Sequence, residues 1–169
     1  MDKIGLIYSF NTRRTSQAAE KLAQELGNSI EKLNAETITE EQLLSFKNLI
    51  IGVPTWFDGE LPNYWDEFVP ALEDLDLKGK NIAIFGNGDQ KGYPENFVDG
   101  IGIMAKIFES RGAKIIGFTP VKGYQFETSQ AVRGDQFTGL ALDFENQSSQ
   151  VAPKIKKWVE QLKKEFEEN

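Results

Sequence analysis

Short, nearly continuous apolar runs alternate along this chain with segments in which apolar residues recur every three or four positions. The runs Lys3–Tyr8, Asn48–Val53, Asn81–Gly86 and Lys114–Phe118 have the length of strands buried on both faces, and Ser29–Leu33 is a weaker strand. Helical spacing follows these runs. The alternation predicts an α/β fold, in which helices cover both faces of a five-stranded parallel sheet.

The intervening segments carry helix signals at their ends as well as helical periodicity. Thr39 and Gln42 have the spacing of a capping box, while Gly27 and Gly112 stand where helices would stop. The helices predicted in this way are Ser16–Gly27, Thr39–Phe46, Pro62–Leu72, Asn96–Arg111 and Gln150–Glu168.

One segment, Thr119–Thr138, breaks the alternation. It is polar, rich in turn-forming residues, and lies between the fifth strand and Gly139–Asp143. We interpret it as an insertion that splits the fifth strand in two. So long an irregular stretch is unusual inside a compact domain, which suggests a functional or docking role. Residues 1–169 as a whole are predicted to form one domain.

Composition narrows the chemistry. The chain has no cysteine and no histidine, which excludes thiolate and imidazole metal sites and removes the commonest general base. Any reaction is therefore expected to depend on a cofactor. The net charge is −7, so the chain lacks the basic charge expected of a nucleic-acid-binding protein. The negative charge either keeps the protein soluble or steers it toward basic partners. Neither a membrane span nor a signal peptide is visible, so a cytoplasmic location is expected.

In open parallel sheets, ligands bind outside the carboxyl ends of the strands, where the winding reverses. For a strand order 2-1-3-4-5, this point lies between the first and third strands. The loops that would meet there are Ser9–Thr15, Pro54–Glu60 and Asn87–Asn96, and they are rich in glycine, hydroxyl and aromatic residues. The sequence therefore predicts a ligand site formed by these three loops.

Two features of these loops suggest the kind of ligand. Ser9–Thr15 precedes a helix, whose free amides favour a phosphate, although an ordinary capped helix would look similar. Trp56 and Tyr93 lie on convergent loops and could clamp a planar ring, although large aromatics more often pack in cores. Asp58 and Asp89 suit turns, and we assign neither of them to acid–base chemistry.

Taken together, these segments resemble the flavodoxins, small electron carriers that use FMN. The resemblance covers essentially the whole chain, and the segments that carry it are Pro54–Trp56 with Gly59–Leu61, Gly86–Tyr93, Asn96–Phe97 and Gly139–Asp143. The insertion, with Gly123–Tyr124, Ser129 and Ala131–Arg133, resembles the long-chain subgroup of that family.

The resemblance implies a flavodoxin-like doubly wound sheet of order 2-1-3-4-5 and a set of FMN-binding residues. Trp56 and Tyr93 would flank the flavin ring, and the peptide between Phe57 and Asp58 would lie near flavin N5. Glu145 would lie near the ribityl hydroxyls. The phosphate would be held by Ser9, Phe10, Asn11, Thr12, Arg13, Arg14 and Thr15, and the ring and ribityl chain would be lined by Pro54, Thr55, Gly59, Asn87, Gly88, Asp89, Asn96 and Phe97.

The phosphate loop departs from the family pattern at two positions. Phe10 stands where a hydroxyl donor is usual, and Arg13 stands where glycine is usual, with Arg14 beside it. Both arginines would point to solvent if they had no role. Our hypothesis is that at least one of them offsets the lost hydroxyl by pairing with the phosphate or shielding its charge.

The function implied is that of a low-potential one-electron carrier, monomeric, which exchanges electrons with the basic faces of flavodoxin or ferredoxin reductases and low-potential oxidoreductases. An FMN-dependent NAD(P)H:quinone reductase on the same fold is the main alternative. A flavin-free interaction module stays open because the phosphate loop is altered. A receiver-type signalling domain is excluded, because the third strand ends in Val53–Thr55 without a phosphoacceptor aspartate.

Overall fold

The computed structural model describes residues 2–169, so Met1, included in the predicted domain, lies outside the described residues. Its main sheet has the order β2-β1-β3-β4-β5, with all pairings parallel, as predicted. The bounds of these strands are β1 Ile4–Tyr8, β2 Ile30–Asn34, β3 Asn48–Gly52, β4 Asn81–Asn87 and β5 Lys114–Ile116.

Helices cover both faces of this sheet, which confirms the predicted layers. The helices are α1 Arg14–Leu26, α2 Glu40–Leu44, α3 Asn63–Leu72, α4 Asp99–Ser110 and α5 Ser148–Glu168. On one face, α1 and α5 enclose a core that contains Leu22 and Trp158. On the other face, α2, α3 and α4 bury Leu43, Trp65 and Phe108. None of the helices in the described part of the chain is both long and apolar enough to cross a membrane.

The fifth strand is divided into two pieces, as the sequence predicts. β5 pairs with the first half of β4, and β9, Leu140–Leu142, pairs with its second half. The chain between them forms its own antiparallel sheet, β6-β8-β7, from β6 Thr119–Pro120, β7 Val132–Arg133 and β8 Gln136–Phe137. The insertion therefore has secondary structure of its own.

Three helices begin two or three residues away from their predicted starts, among them α5, which begins at Ser148 instead of Gln150. α1 begins at Arg14, two residues before the predicted Ser16, because the chain is already helical at Arg13. α4 begins at Asp99 instead of Asn96, because Val98 adopts a left-handed φ of 47° that interrupts the helical path. The capping box at Thr39 and the helix stop at Gly27 are both present. The early start of α1 places Arg14 and Thr15 inside the first turn of that helix.

Candidate functional site

The loops that follow β1, β3, β4 and β9 surround one crevice at the carboxyl edge of the sheet. Its volume is about 530 Å³, and it is lined by Arg14, Thr55, Trp56, Phe57, Asn87, Gly88, Asp89, Tyr93, Asn96, Phe97, Val98, Phe144 and Glu145. This volume lies within the range of roughly 300–1,000 Å³ that is typical of small-molecule sites. The crevice lies where the sheet topology predicts a ligand site.

The two aromatic residues singled out in the sequence both line this crevice instead of packing in the core. Trp56 is partly exposed, and its backbone exchanges two hydrogen bonds of 2.8 and 2.7 Å with Glu60. Its indole meets the rings of Phe57 and Tyr64 edge-on, at centroid distances of 6.3 and 6.1 Å. Tyr93 remains 60% exposed. Flat apolar faces are therefore available to a ligand on both loops.

The turn after Trp56 is conformationally restricted. Phe57 has a φ of 50°, which is unusual for a residue with a side chain, and Gly59 has a φ of 89°. The carbonyl of Asp58 accepts a 3.1 Å hydrogen bond from Asn96 Nδ2. A Cβ at Gly59 would lie 2.5 Å from Asp99 Oδ2, so only glycine fits there. The turn is thus fastened to the segment that precedes α4.

Asp89 shapes the loop that carries Tyr93. Its carboxylate accepts hydrogen bonds from the backbone amides of Gly92 (2.8 Å) and Lys91 (3.2 Å) and from Asn146 Nδ2 (2.7 Å). The bond from Gly92, with smaller contributions from Asn146 and Lys91, lowers the pKa of Asp89. Asp89 lines the crevice, but its carboxylate is hydrogen-bonded to the backbone of its own turn, which agrees with the interpretation of Asp89 as a turn residue.

A buried carboxylate beneath this loop, Asp143, was not among the predicted site residues. Asp143 is 1% exposed and accepts hydrogen bonds from Gln90 N (3.1 Å) and Gln90 Nε2 (2.8 Å). It also accepts from the backbone amides of Glu145 (3.0 Å) and Asn146 (2.9 Å). A buried charge with several donors fixes its surroundings. Asp143 thereby joins the loop after β4 to the loop after β9.

The insertion fastens the same loop from the outside. The backbone amides of Glu127 and Thr128 both donate to Pro94 O, at 2.7 and 3.0 Å, and Gln125 N donates to Gln90 Oε1 at 2.6 Å. Further bonds join Thr128 Oγ1 to Glu95 O, Ser129 Oγ to Phe97 O and Gln130 N to Asp99 Oδ1. Phe97 also packs against the insertion rings of Tyr124, Phe126 and Phe137, at 5.3 to 5.9 Å. The segment on both sides of Tyr93 is therefore held by the insertion.

At the other end of the crevice, the first turn of α1 presents backbone donors. The helix has Arg13 at its N-cap and no side-chain cap. Within residues 2–169, the amides of Arg13, Arg14 and Thr15 have no hydrogen-bond acceptor. Free amides at a helix N-terminus, together with the helix dipole, favour an anion.

Most side chains of the Ser9–Thr15 loop, in contrast, are turned toward protein acceptors. Thr12 Oγ1 donates to Ser9 O at 2.8 Å, and Thr15 Oγ1 donates to Asn87 Oδ1 at 2.8 Å. Ser9 Oγ and Asn11 Nδ2 both donate to Glu36 Oε2, at 3.0 and 2.6 Å. In this structure the hydroxyl groups of the loop therefore stabilise its shape.

The two arginines of the loop differ in position. Arg14 lines the crevice: its guanidinium lies 5.1 Å from the ring centre of Phe144 and 3.7 Å from Glu145 Oε1. Arg13 is exposed. Both Arg14 and Glu145 keep substantial solvent access, so their ion pair is weak. Of the two, Arg14 is already oriented toward the crevice.

The structure brings together eleven of the twenty residues that we predicted for cofactor binding. Nine others do not line the crevice: Ser9, Phe10, Asn11, Thr12, Arg13, Thr15, Pro54, Asp58 and Gly59. Phe10 is 48% exposed and lies against Tyr8, at 5.0 Å between ring centres, so it does not obstruct the crevice. Val98 and Phe144 line it but were not predicted, because an apolar residue in a loop carries no distinctive signal.

Comparisons with known proteins agree on one family. A family model described as Flavodoxin matches residues 6–158. The chain is 44% identical to a flavodoxin of Nostoc sp. over 97% of both proteins. It is 37% identical to flavodoxin 1 of Escherichia coli, over 96% of this chain and 93% of that one. The crystal structure of Fusobacterium nucleatum flavodoxin bound to flavin mononucleotide matches with a TM-score of 0.92 at 31% identity, covering 98% of this chain and 99% of that one.

Proposed function

This chain belongs to the flavodoxin family and is an FMN-based electron carrier, and we propose that it binds FMN in the crevice that Trp56 and Tyr93 line. The relatives are named flavodoxins, so a quinone reductase is not favoured. The observation that carries the proposal is the crevice itself, with accessible aromatic faces and an uncapped helix N-terminus at one loop. We further propose that residues 1–169 act as one FMN-binding domain.

The residues present fit the parts of FMN. Trp56 and Tyr93 offer apolar faces to a planar ring, and the free amides of Arg13, Arg14 and Thr15 suit a phosphate. The remaining crevice residues supply the polar groups that a sugar-alcohol chain needs. We therefore retain the predicted binding set, with the loop side chains of Ser9, Asn11 and Thr12 as its least direct members.

When bound, FMN supplies the electron transfer, since it can accept and donate electrons one at a time. The protein holds the ring and controls its access to water. Phe57 and Tyr93 are 72% and 60% exposed, so the entrance of the crevice is apolar and open to a partner. The Asn96 bond to Asp58 O fixes the turn at that entrance, which keeps the ring environment constant between encounters.

Flavin binding is the direct test. Apoprotein titrated with FMN should quench flavin fluorescence and reach saturation at one FMN per chain, because aromatic contact quenches the excited ring. Riboflavin, which lacks the phosphate, should bind more weakly. Apoprotein that leaves FMN fluorescence unchanged at all concentrations would contradict the proposal and would favour a flavin-free interaction module.

For the partners, we propose basic faces of flavodoxin or ferredoxin reductases and of low-potential oxidoreductases. The support is the net charge of −7 and the exposed acidic side chains of Asp58, Glu60 and Glu95 near the entrance of the crevice. Electron-transfer complexes are generally small and transient, so the contact should be weak. We propose a monomeric, cytoplasmic carrier that contacts neither nucleic acid nor membrane.

The salt dependence of electron transfer tests this partner class. The rate of reduction by a ferredoxin–NADP-type reductase should fall steeply as ionic strength rises, because screening weakens attraction between the two surfaces. A rate that is independent of salt would exclude electrostatic docking. The oligomeric state can be measured on the same sample by sedimentation, where a stable dimer would contradict the monomer.

A further inference from the structure

Glu36, outside the predicted binding set, is hydrogen-bonded to the loop that begins the phosphate site. Its Oε2 atom accepts from Ser9 Oγ (3.0 Å) and from Asn11 Nδ2 (2.6 Å). Asn34 Oδ1 accepts from the backbone amides of Phe10 (3.3 Å) and Glu36 (3.2 Å). The turn after β2 is thus tied to the loop after β1, and a carboxylate is held against two of the loop's side-chain donors.

The same carboxylate acts electrostatically on the residue that supports Trp56. Tyr64 meets Trp56 edge-on at 6.1 Å, and its hydroxyl is buried without a hydrogen-bond partner in the part of the chain that the structure describes. Burial raises the pKa of Tyr64, and the negative charge of Glu36 raises it further. Glu36 therefore lies within electrostatic range of both the phosphate loop and the structure beneath Trp56.

This arrangement has a consequence for a phosphorylated ligand. A phosphate monoester carries about −1.5 to −2 charges near neutral pH. It needs hydrogen-bond donors and is repelled by nearby negative charge. Glu36 engages two donors of the loop and adds a negative charge beside it, whereas Arg13 and Arg14 add positive charges a few residues further along. The phosphate end thus contains one opposing charge and two favourable ones.

We propose that Glu36 weakens the binding of the FMN phosphate and thereby limits the preference of this protein for FMN over unphosphorylated flavin. The inference rests on the proposed FMN site. The functional consequence would be faster exchange of the cofactor, because a lower affinity for the phosphate allows FMN to dissociate more readily. Riboflavin is uncharged and has no phosphate, so the charge of Glu36 should leave its binding unchanged.

The test compares Glu36→Gln with wild type. Glutamine retains an oxygen that can accept from Ser9 and Asn11 but has no charge, so the loop keeps its shape. FMN should bind the variant about 3- to 10-fold more tightly at low salt, with a smaller gain at high salt. Riboflavin affinity should not change. Glu25→Gln is the matched control, because it makes the same change in net charge at the far end of α1 and should leave both affinities unaltered.

Each contrary result has a distinct meaning. Equal or weaker FMN binding by Glu36→Gln overturns the inference, as does an equal gain for FMN and riboflavin. If wild-type protein binds no flavin, the proposed function fails. The effect of Glu36 on phosphate binding can then still be tested with inorganic phosphate. Millimolar phosphate, compared with chloride at equal ionic strength, should raise the thermal midpoint of Glu36→Gln apoprotein more than that of wild type. An equal rise in both would overturn the inference.

Discussion

The two ends of the crevice are built in different ways. The ring end, which comprises Trp56–Gly59 and Asp89–Phe97, is held by backbone hydrogen bonds from the insertion and by glycines that tolerate no side chain. The phosphate end, Ser9–Thr15, consists of hydroxyls turned onto protein acceptors, a free helix N-terminus and charges of both signs. The first end depends on shape and the second on charge. Substitutions should therefore act through geometry and stability at one end, and through salt-dependent affinity at the other.

The largest effect is expected from Tyr93→Ala at the ring end. Stacking of an aromatic side chain on a planar ring contributes about 1–3 kcal/mol, so FMN affinity should fall roughly 10- to 100-fold. FMN and riboflavin should lose affinity to the same extent, and added salt should not alter the loss. Tyr93→Phe keeps the ring face and should retain most of the affinity. A loss seen only for FMN would contradict the division between the two ends.

Gly59→Ala should be the next most severe change. Its φ of 89° is strained for alanine, and the added Cβ would lie 2.5 Å from Asp99 Oδ2. We expect the free energy of unfolding, measured with urea, to fall by about 1–3 kcal/mol. Gly123→Ala is the control, because its φ of 96° is similar but no atom lies within 4 Å of its Cβ. Equal losses in the two variants would show that the contact with Asp99 is unimportant.

Ser129→Ala tests the insertion as a support for the ring end. The Ser129 hydroxyl donates to Phe97 O and accepts from Ala131 N at 3.1 Å. Its removal should lower the free energy of unfolding by about 1 kcal/mol and weaken FMN and riboflavin binding together. Ser110→Ala, which removes an exposed hydroxyl bonded to Ile107 O within α4, serves as the comparison. If Ser129→Ala leaves flavin affinity at the wild-type value, the insertion does not position Tyr93.

At the phosphate end, Arg13→Ala and Arg14→Ala should act through charge. Each should weaken FMN binding about two- to fivefold at low salt, because exposed charge pairs contribute less than about 1 kcal/mol. The effect should shrink at high salt, and riboflavin should be unaffected. Lys21→Ala removes a positive charge from α1 outside the crevice and should have no effect. No change in FMN affinity at either salt would end the hypothesis that these arginines compensate for Phe10.

The smallest effect concerns the strand that leads into the phosphate end. Tyr8 Oη donates to Glu20 Oε1 at 3.0 Å, and burial, followed by this bond and the charge of Glu20, raises the pKa of Tyr8 to about 12. The folded pKa exceeds the unfolded value of 10.0. The contribution of the protonated Tyr8 hydroxyl to the free energy of unfolding is therefore fully present below pH 10 and is lost as the pH rises from 10 to 12. Urea titrations should show wild type losing its advantage over Tyr8→Phe across that interval. An advantage that is constant from pH 9 to 12 would contradict the raised pKa.

The sequence predicts the strands, the covering helices and the loops of the ring end well, because each leaves a local pattern, whereas the strand order follows from the resemblance to the flavodoxins. Buried strands are apolar runs, and the turn near Tyr93 contains glycines that only a close approach explains. Two carboxylates, Glu36 beside the phosphate end and Asp143 beneath the ring end, could not be predicted in the same way. Glu36 and Asp143 act through hydrogen bonds to residues distant in the chain, and an isolated carboxylate in a sequence does not reveal its acceptor role. The helix start at Arg14 was missed because Arg13 is not a usual capping residue.

The break in the fifth strand also affects how the sheet meets its neighbours in solution. An outer strand with a long unpaired row of amides and carbonyls is a template for aggregation. Here that margin is divided into β5 and β9, three residues each, with the insertion between them. The opposite margin, β2, has the exposed charges Glu31 and Lys32 along it. Neither margin offers a long uncharged ladder, so this protein should resist edge-to-edge association even at high concentration.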